Sequence, residues 1–260
     1  MFGKLNWHQL FVIIGFTTLL PYCAQAQEKQ KLESDRPDQG VSSTVVPKQS
    51  LQIEAGWLYQ KDKAGEVTLK TIAYPSVLLR YGLLHKLELR LQTALKDSVI
   101  ERSTEKRIKG IAPVSVGAKA SLWKGQGLLP EGAFIFMITL PVGSKALRPD
   151  NPEPQLRLSF TNKLADKTDF NYNLVQSWVS GISNTGYTAA LSQDFTDKFT
   201  VYAEVFGNKP KGETAAHQAD GGLLFLLRDN LQLDVAAGTK LTSAAPDYFI
   251  TAGISARLPE

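Results

Sequence analysis

The stretch that decides the fold is residues 50–60, which read SLQIEAGWLYQ. Apolar side chains occupy every second position from Leu51 to Tyr59, polar or small ones lie between them, and Leu58 is the one interruption. Because successive side chains of a strand point to opposite faces, this segment is apolar on one side and polar on the other. The pattern recurs along the chain, and it leaves open whether the apolar faces meet in a dry core or face lipid.

Length and composition exclude several classes of protein. With 260 residues and 43% hydrophobic content, the chain can form one or two domains and is not a disordered protein. Its net charge of +4 is small and scattered, and no Lys/Arg block is present, so nucleic-acid binding is not expected. After residue 26 no apolar run is long enough for a membrane helix.

Residues 1–26 have the pattern of a cleaved signal peptide. Lys4 is the positive charge near the start, the apolar run from Leu10 to Leu20 is too short to span a bilayer as a helix, and AQA at 24–26 is a small-x-small cleavage site. Cleavage after residue 26 removes Cys23, the single cysteine of the chain. We therefore expect neither a disulfide nor a thiolate site in the exported protein.

Residues 27–49 form a polar lead-in before the first strand. Its mixed charges could pair with side chains inside a barrel, so the segment is either a periplasmic linker or a plug for the barrel mouth. The candidate plug residues are Asp35, Arg36 and Asp38. Because the two aspartates flank Arg36, the sequence favours a local ion pair or turn over acid–base chemistry.

From residue 50 onward the alternation predicts about twelve strands. They are 50–60, 67–81, 86–96, 111–123, 132–141, 154–163, 169–180, 186–196, 199–207, 219–228, 231–241 and 247–258. Short connections follow most even-numbered strands, and longer polar ones, such as 97–110, follow most odd-numbered strands. Outer-membrane barrels have short periplasmic turns and longer external loops, so both termini are expected in the periplasm.

Two features favour a membrane barrel over a soluble sandwich. One face of the strands is consistently polar, and the aromatic residues of the apolar face cluster near strand ends, as amphipathic rings do at membrane interfaces. Such a sheet must close, because an open edge in hydrocarbon leaves backbone groups unpaired. We expect an all-β transmembrane antiparallel barrel over residues 50–260. Strand 132–141 is apolar on both faces, so the sequence does not predict which of its faces points inward.

Three motifs resemble those of a known family. They are SDRPD at 34–38, LQIEAG at 51–56, and LRYGL at 79–83 followed by LELR at 87–90. In this order they are similar to the bacterial outer-membrane transporter family named after the MetA pathway of phenol degradation, over about Asp35 to Arg257. The resemblance implies a β-barrel in the outer membrane of a Gram-negative bacterium, with a role in transport.

The polar strand faces supply the candidate functional residues. Charges inside a membrane protein are unfavourable unless they pair or line a pathway. The candidates for the lumen or pathway are Glu54, Arg80, Glu88, Arg90, Lys119, Arg157, Glu204, Asp234 and Arg257. Arg80, Glu88 and Arg90 come first because they coincide with the family motif. The alternative interpretation is a structural salt-bridge network that fills a narrow barrel.

Two other functions remain open at this point. An enzyme acting on lipid acyl chains needs a serine nucleophile beside an oriented base. After residue 26 the chain has only His85 and His217, with no G-x-S-x-G element, so we expect no enzyme. A structural or lipid-interacting barrel is the other alternative, because the basic loop 97–110 could engage anionic head groups.

The prediction that follows is a monomeric outer-membrane barrel. We expect it to carry a small solute passively, with an aromatic or hydrophobic molecule suggested by the family resemblance. Its partners are then outer-membrane lipid and the solute itself. No cofactor or metal is expected, because the sequence contains no nucleotide-binding motif and no metal-ligand cluster.

Overall fold

The computed structural model describes residues 31–259, so the predicted signal peptide lies outside the described residues. The described strands are β1 (Leu51–Ala64), β2 (Val67–Leu84), β3 (Leu87–Glu101), β4 (Glu105–Ile111), β5 (Ser115–Trp123), β6 (Glu131–Thr139), β7 (Glu153–Ala165), β8 (Thr168–Val179), β9 (Ile182–Thr196), β10 (Phe199–Pro210), β11 (Ala216–Arg228), β12 (Leu231–Lys240) and β13 (Tyr248–Leu258). Within this range no helix is long and apolar enough to cross a membrane.

The strands form one closed antiparallel barrel. β1 pairs with β2 on one side and with β13 on the other, which joins the first and last strands and removes any open edge between them. β4 is additional to the twelve strands of the ring: it pairs with β3 at Leu95↔Ile111, and β5 continues beside β3 from Gln92↔Ser115. The predicted fold class, a transmembrane barrel of about twelve strands, is confirmed.

The two ends of the barrel differ, and each is named here by its connections. The turn end carries the tight connections after β2, β7, β9 and β11 together with the longer turn between β5 and β6. The loop end carries the connections after β1, β3, β6, β8, β10 and β12. The chain enters β1 and leaves β13 at the turn end, since Leu51 pairs with Leu258.

The prediction of a long external loop at 97–110 is wrong. β3 continues to Glu101 and turns back into β4, with Glu101 opposite Glu105. Arg107 and Asp97 form an ion pair across this hairpin. Strands that extend past the lipid are wetted on both faces, so they lose the apolar alternation by which strands are recognised in a sequence.

The facing of strand 132–141, which the sequence left open, is resolved in β6. Ala133 and Ile135 are buried toward the lumen, whereas Phe136 is 39% exposed on the outside. Both faces of β6 are therefore apolar over this stretch, as the sequence indicates.

The distribution of polarity is the reverse of that in a soluble protein. The largest fully buried side chains include Arg80, Lys119, Gln52, Glu54 and Glu88, whereas Leu89, Leu223 and Leu233 on the outer face are 41–45% exposed. A water-soluble fold buries its leucines and exposes its charges. An apolar outer band around a polar interior is the arrangement of a barrel embedded in lipid.

Outward aromatic residues contact one another near both ends. At the loop end the rings of Tyr59 and Tyr248 lie 6.1 Å apart. At the turn end the rings of Phe195 and Phe199 lie 6.2 Å apart. These pairs stand where amphipathic and aromatic rings settle at the two interfaces of a membrane.

A charge on the outer wall tests whether that wall faces lipid. Leu223 lies near the middle of β11, so Leu223→Arg should lower the free energy of unfolding by about 2–4 kcal/mol in phospholipid vesicles. The matched control is Leu128→Arg, because Leu128 is 97% exposed in the β5–β6 turn and should tolerate the charge. Urea unfolding followed by tryptophan fluorescence measures both, and equal effects would contradict a lipid-facing position for Leu223.

Candidate functional site in the barrel lumen

Residues 31–50, called here the inner segment, run inside the barrel. The segment starts at the turn end, where the Leu32 amide donates to the Asp229 carbonyl at 2.8 Å. It passes into the lumen, folds back, and returns to the turn end, where the Gln49 amide donates to the Gly82 carbonyl at 2.7 Å. The inner segment is therefore a loop held at both of its ends on the same side of the barrel.

Lumen side chains accept hydrogen bonds from the backbone amides of this segment, as a neighbouring strand would in a β-sheet. The amide of Val46 donates to Glu88 at 2.8 Å, that of Gln39 donates to Glu204 at 2.8 Å, and that of Val41 donates to Asn173 Oδ1 at 2.7 Å. Buried backbone donors need partners, and here the strands supply them through polar side chains. This explains how the segment stays buried without regular secondary structure.

An ion cluster joins the inner segment to one side of the wall. Its members are Asp35, Glu54, Arg80, Glu88, Arg90 and Lys119, called here the lumen ion cluster. Arg80 reaches Glu88 at 2.9 Å and Glu54 at 3.0 Å, so it bridges two acids of the wall. Arg90 contacts Asp35 at 2.6 Å, and Lys119 Nζ lies 3.6 Å from the same carboxylate. The cluster holds three acids and three bases and is therefore neutral.

The two aspartates of the inner segment differ in their preferred charge. Burial alone would raise the pKa of Asp35, but the positive charges of the cluster, that of Arg80 foremost, outweigh it and hold this pKa below its ordinary value. Burial raises the pKa of Asp38 well above its ordinary value, and the neighbouring Glu204 carboxylate raises it further. Asp35 is thus held ionised, whereas Asp38 favours its protonated form.

Arg36 forms a second attachment, so that of the local ion pair or turn predicted from the sequence the ion pair is wrong, whereas Ser34 and Arg36 do form a local turn contact. Its guanidinium contacts Asp234 at 3.0 Å and donates to the Thr251 hydroxyl at 2.9 Å. Two glycines make room for it: a Cβ added at Gly56 or at Gly253, which pair with each other across β1 and β13, would lie 2.3 Å from Arg36 atoms. Partners from distant strands outcompete the neighbouring aspartates because the strands converge on the segment from all sides.

The remaining sequence candidates contact the inner segment at other points. Arg157 donates to the Gln39 carbonyl at 3.0 Å, and Arg257 donates to the Lys31 carbonyl at 3.3 Å. Each residue that the sequence proposed for the lumen therefore lies on the inner face. The structure brings five of them together with Asp35 in the lumen ion cluster and distributes the other four, Arg157, Glu204, Asp234 and Arg257, along the segment.

Neutral residues of the lumen were not among the sequence candidates, although they hold the segment as well. Asn173 is 1% exposed and donates to the Val41 carbonyl at 3.0 Å, and Ser159 donates to the same carbonyl. The Ser43 hydroxyl donates to Thr161 at 2.8 Å. These neutral residues lie on the polar faces of their strands, and that position alone indicates an inward side chain. The predicted lumen candidates were all charged residues, so the neutral ones were missed.

The two histidines lie at opposite ends of the barrel. His217 is at the loop end, where its Nδ1 lies 3.1 Å from the Tyr187 hydroxyl. His85 follows the last residue of β2, in the turn before β3.

Taken together, an apolar outer band, a polar lumen and closed antiparallel pairing define an outer-membrane type of β-barrel whose inner segment lies in the lumen. A family model described as "Putative MetA-pathway of phenol degradation" matches residues 34–258. The match spans most of the chain, so this protein belongs to that family. The family resemblance noted from the three sequence motifs is thereby confirmed.

Solved structures with the same fold are membrane barrels. An outer membrane channel from Pseudomonas putida F1 has a TM-score of 0.62 at 13% identity, covering 87% of this chain and 100% of that one. The translocator domain of the autotransporter NalP from Neisseria meningitidis scores 0.55 at 10% identity, with 85% and 90% coverage. The KdgM porin scores 0.52 at 11% identity, with 79% and 98% coverage. No curated protein matches the sequence.

The lumen ion cluster should stabilise the folded barrel through Arg80. Arg80→Gln leaves buried acids without their shared partner and should lower the free energy of unfolding by roughly 3–5 kcal/mol. Lys86→Gln is the matched control, because Lys86 is an exposed cation in the turn at the same end of the barrel. Urea titration of both variants in vesicles measures the difference, and an Arg80→Gln value no larger than the control would show that the cluster adds no stability.

Proposed function

We propose that this protein is a monomeric outer-membrane channel through which a small solute passes without an energy source. The observation that carries the proposal is a closed, polar-lined barrel whose lumen holds a separate, loop-like segment instead of a core of wall side chains. Family membership and the likeness in fold to an outer membrane channel and a porin support it. The family description names phenol degradation, which favours an aromatic or hydrophobic solute.

We propose further that the inner segment acts as the plug. It occupies the lumen from the turn end and is attached by the lumen ion cluster and by Arg36. Short turns face the periplasm in this class of barrel, so the turn end is assigned to the periplasm and the loop end to the outside. This orientation agrees with export through a cleaved signal peptide at residues 1–26.

The second candidate is a structural or lipid-interacting barrel. The neutral, buried lumen ion cluster favours it, because a network of this kind can fill a barrel without forming a pathway. The two proposals differ in one consequence. If the segment is a plug, weakening its attachments should displace it and raise the conductance. If it is a permanent filling, the barrel should not conduct whether or not its attachments are weakened.

Conductance in a planar bilayer distinguishes them. The double variant Asp35→Asn, Arg36→Gln removes the charges of both attachments, and we expect its single-channel steps to be several-fold larger or more frequent than those of the unmodified protein. Lys48→Gln is the control, since Lys48 is an exposed cation of the same segment, and it should conduct like the unmodified protein. A form lacking residues 27–49 gives the upper limit.

Folding of each form is checked by its heat-modifiable migration on a gel. Folded barrels that show no steps in any form, the shortened one included, would refute the channel and leave the structural barrel. Equal steps in all forms would support an open channel and refute the plug. These readings separate the two parts of the proposal.

A further inference from the structure

The inner segment does not fill the lumen evenly. The lumen ion cluster attaches it to β1, β2, β3 and β5, the strands that carry Glu54, Arg80, Glu88, Arg90 and Lys119. A cavity of about 290 Å³ remains between the segment and strands β8 to β12. The cavity lies near the turn end, because Lys198 of the β9–β10 turn is part of its lining. We refer to it as the side cavity.

The walls of the side cavity have two different chemistries. One wall is apolar and includes Leu32, Leu224 and Leu226. The rest of the lining is mostly polar and includes Asp169, Asn171 and Ser192. Leu226 is an inward residue in a lumen that is otherwise mostly polar, and it is 5% exposed. A volume and lining of this kind suit a small molecule that has an apolar body and one polar group.

Acidic groups outnumber basic ones in the lining. The acids are Glu33, Asp38, Asp169 and Asp194, and the bases are Lys31, Arg36 and Lys198. Arg36 is paired with Asp234, and Lys31 lies 3.9 Å from Asp194. Even with Asp38 protonated, Glu33 and Asp169 then face only Lys198 within the lining, while the exposed Lys163 lies opposite Asp169 across β7 and β8. The cavity therefore attracts a cation more than an anion.

From this geometry we infer that the side cavity is a binding site on the solute path for a small amphipathic amine. Its apolar body packs on Leu224 and Leu226, and its ammonium group is directed to the carboxylate of Asp169. The inference rests on the proposed channel function for its place on a path, but binding itself can be measured without conduction.

Calorimetric titration with phenethylamine tests the site directly. We expect saturable binding to the folded full-length barrel, weakened about tenfold in Asp169→Asn, because a charge-assisted contact is lost. Asp166→Asn is the matched control: Asp166 is an exposed aspartate of the β7–β8 turn outside the cavity lining, and its replacement should not change binding. The anion 3-phenylpropanoate, similar in size, should bind more weakly than the amine.

Single-channel recording with the same probe places the site on the path. Phenethylamine should interrupt the current of the unmodified protein, and a positively charged thiol reagent attached at Ser192→Cys should abolish that block. The control is Leu191→Cys, since Leu191 is 48% exposed on the outer face next to Ser192, together with the unmodified protein treated with the reagent.

The outcomes separate this inference from the proposed function. A conducting channel that binds the amine no better than the anion, or equally well in Asp169→Asn, refutes the amine site alone. A barrel that binds the amine but shows no current in any form keeps the site and refutes the channel. Block that survives modification at Ser192→Cys places the site off the path and contradicts the inference.

Discussion

Within the lumen ion cluster, the charges of the barrel wall are balanced only when the inner segment is in place. The wall contributes three bases to the lumen ion cluster, Arg80, Arg90 and Lys119, but only two acids, Glu54 and Glu88. Asp35 of the segment supplies the missing negative charge. An uncompensated charge in a poorly solvated interior is strongly destabilising, so the barrel and the segment form one electrostatic unit.

The segment and open space share the lumen. The paired charges of the lumen ion cluster lie on β1, β2, β3 and β5, and the side cavity lies between the segment and β8 to β12. The structural and functional interpretations of the lumen charges thus do not exclude each other. Ion pairs hold the segment in the barrel, and space of the size of a small solute remains beside it.

The barrel and its inward residues could be predicted from the sequence because alternation is a local signal. A period of two assigns each side chain to a face without knowledge of the neighbouring strand, and Glu54, Arg80 and Glu88 were placed correctly in this way. Partners could not be predicted, since Arg36 contacts Asp234, which is 198 residues away, in preference to the aspartates beside it. The hairpin of β3 and β4 was missed because both of its faces are wetted and alternation is lost there.

The way the segment is held sets limits on how it could be displaced. Its amides bind side chains such as Glu88, Glu204 and Asn173 and belong to no ladder, so each contact can be exchanged for water without unpairing a strand. Its two ends stay tied at the turn end by backbone hydrogen bonds at Leu32 and Gln49. A loop fixed at both ends cannot be pulled out lengthwise, and its middle can only swing. Arg36, Asp38 and Ser42 of the segment line the side cavity. A swing of the middle of the segment into that cavity and occupation of the cavity by a solute therefore compete for the same volume.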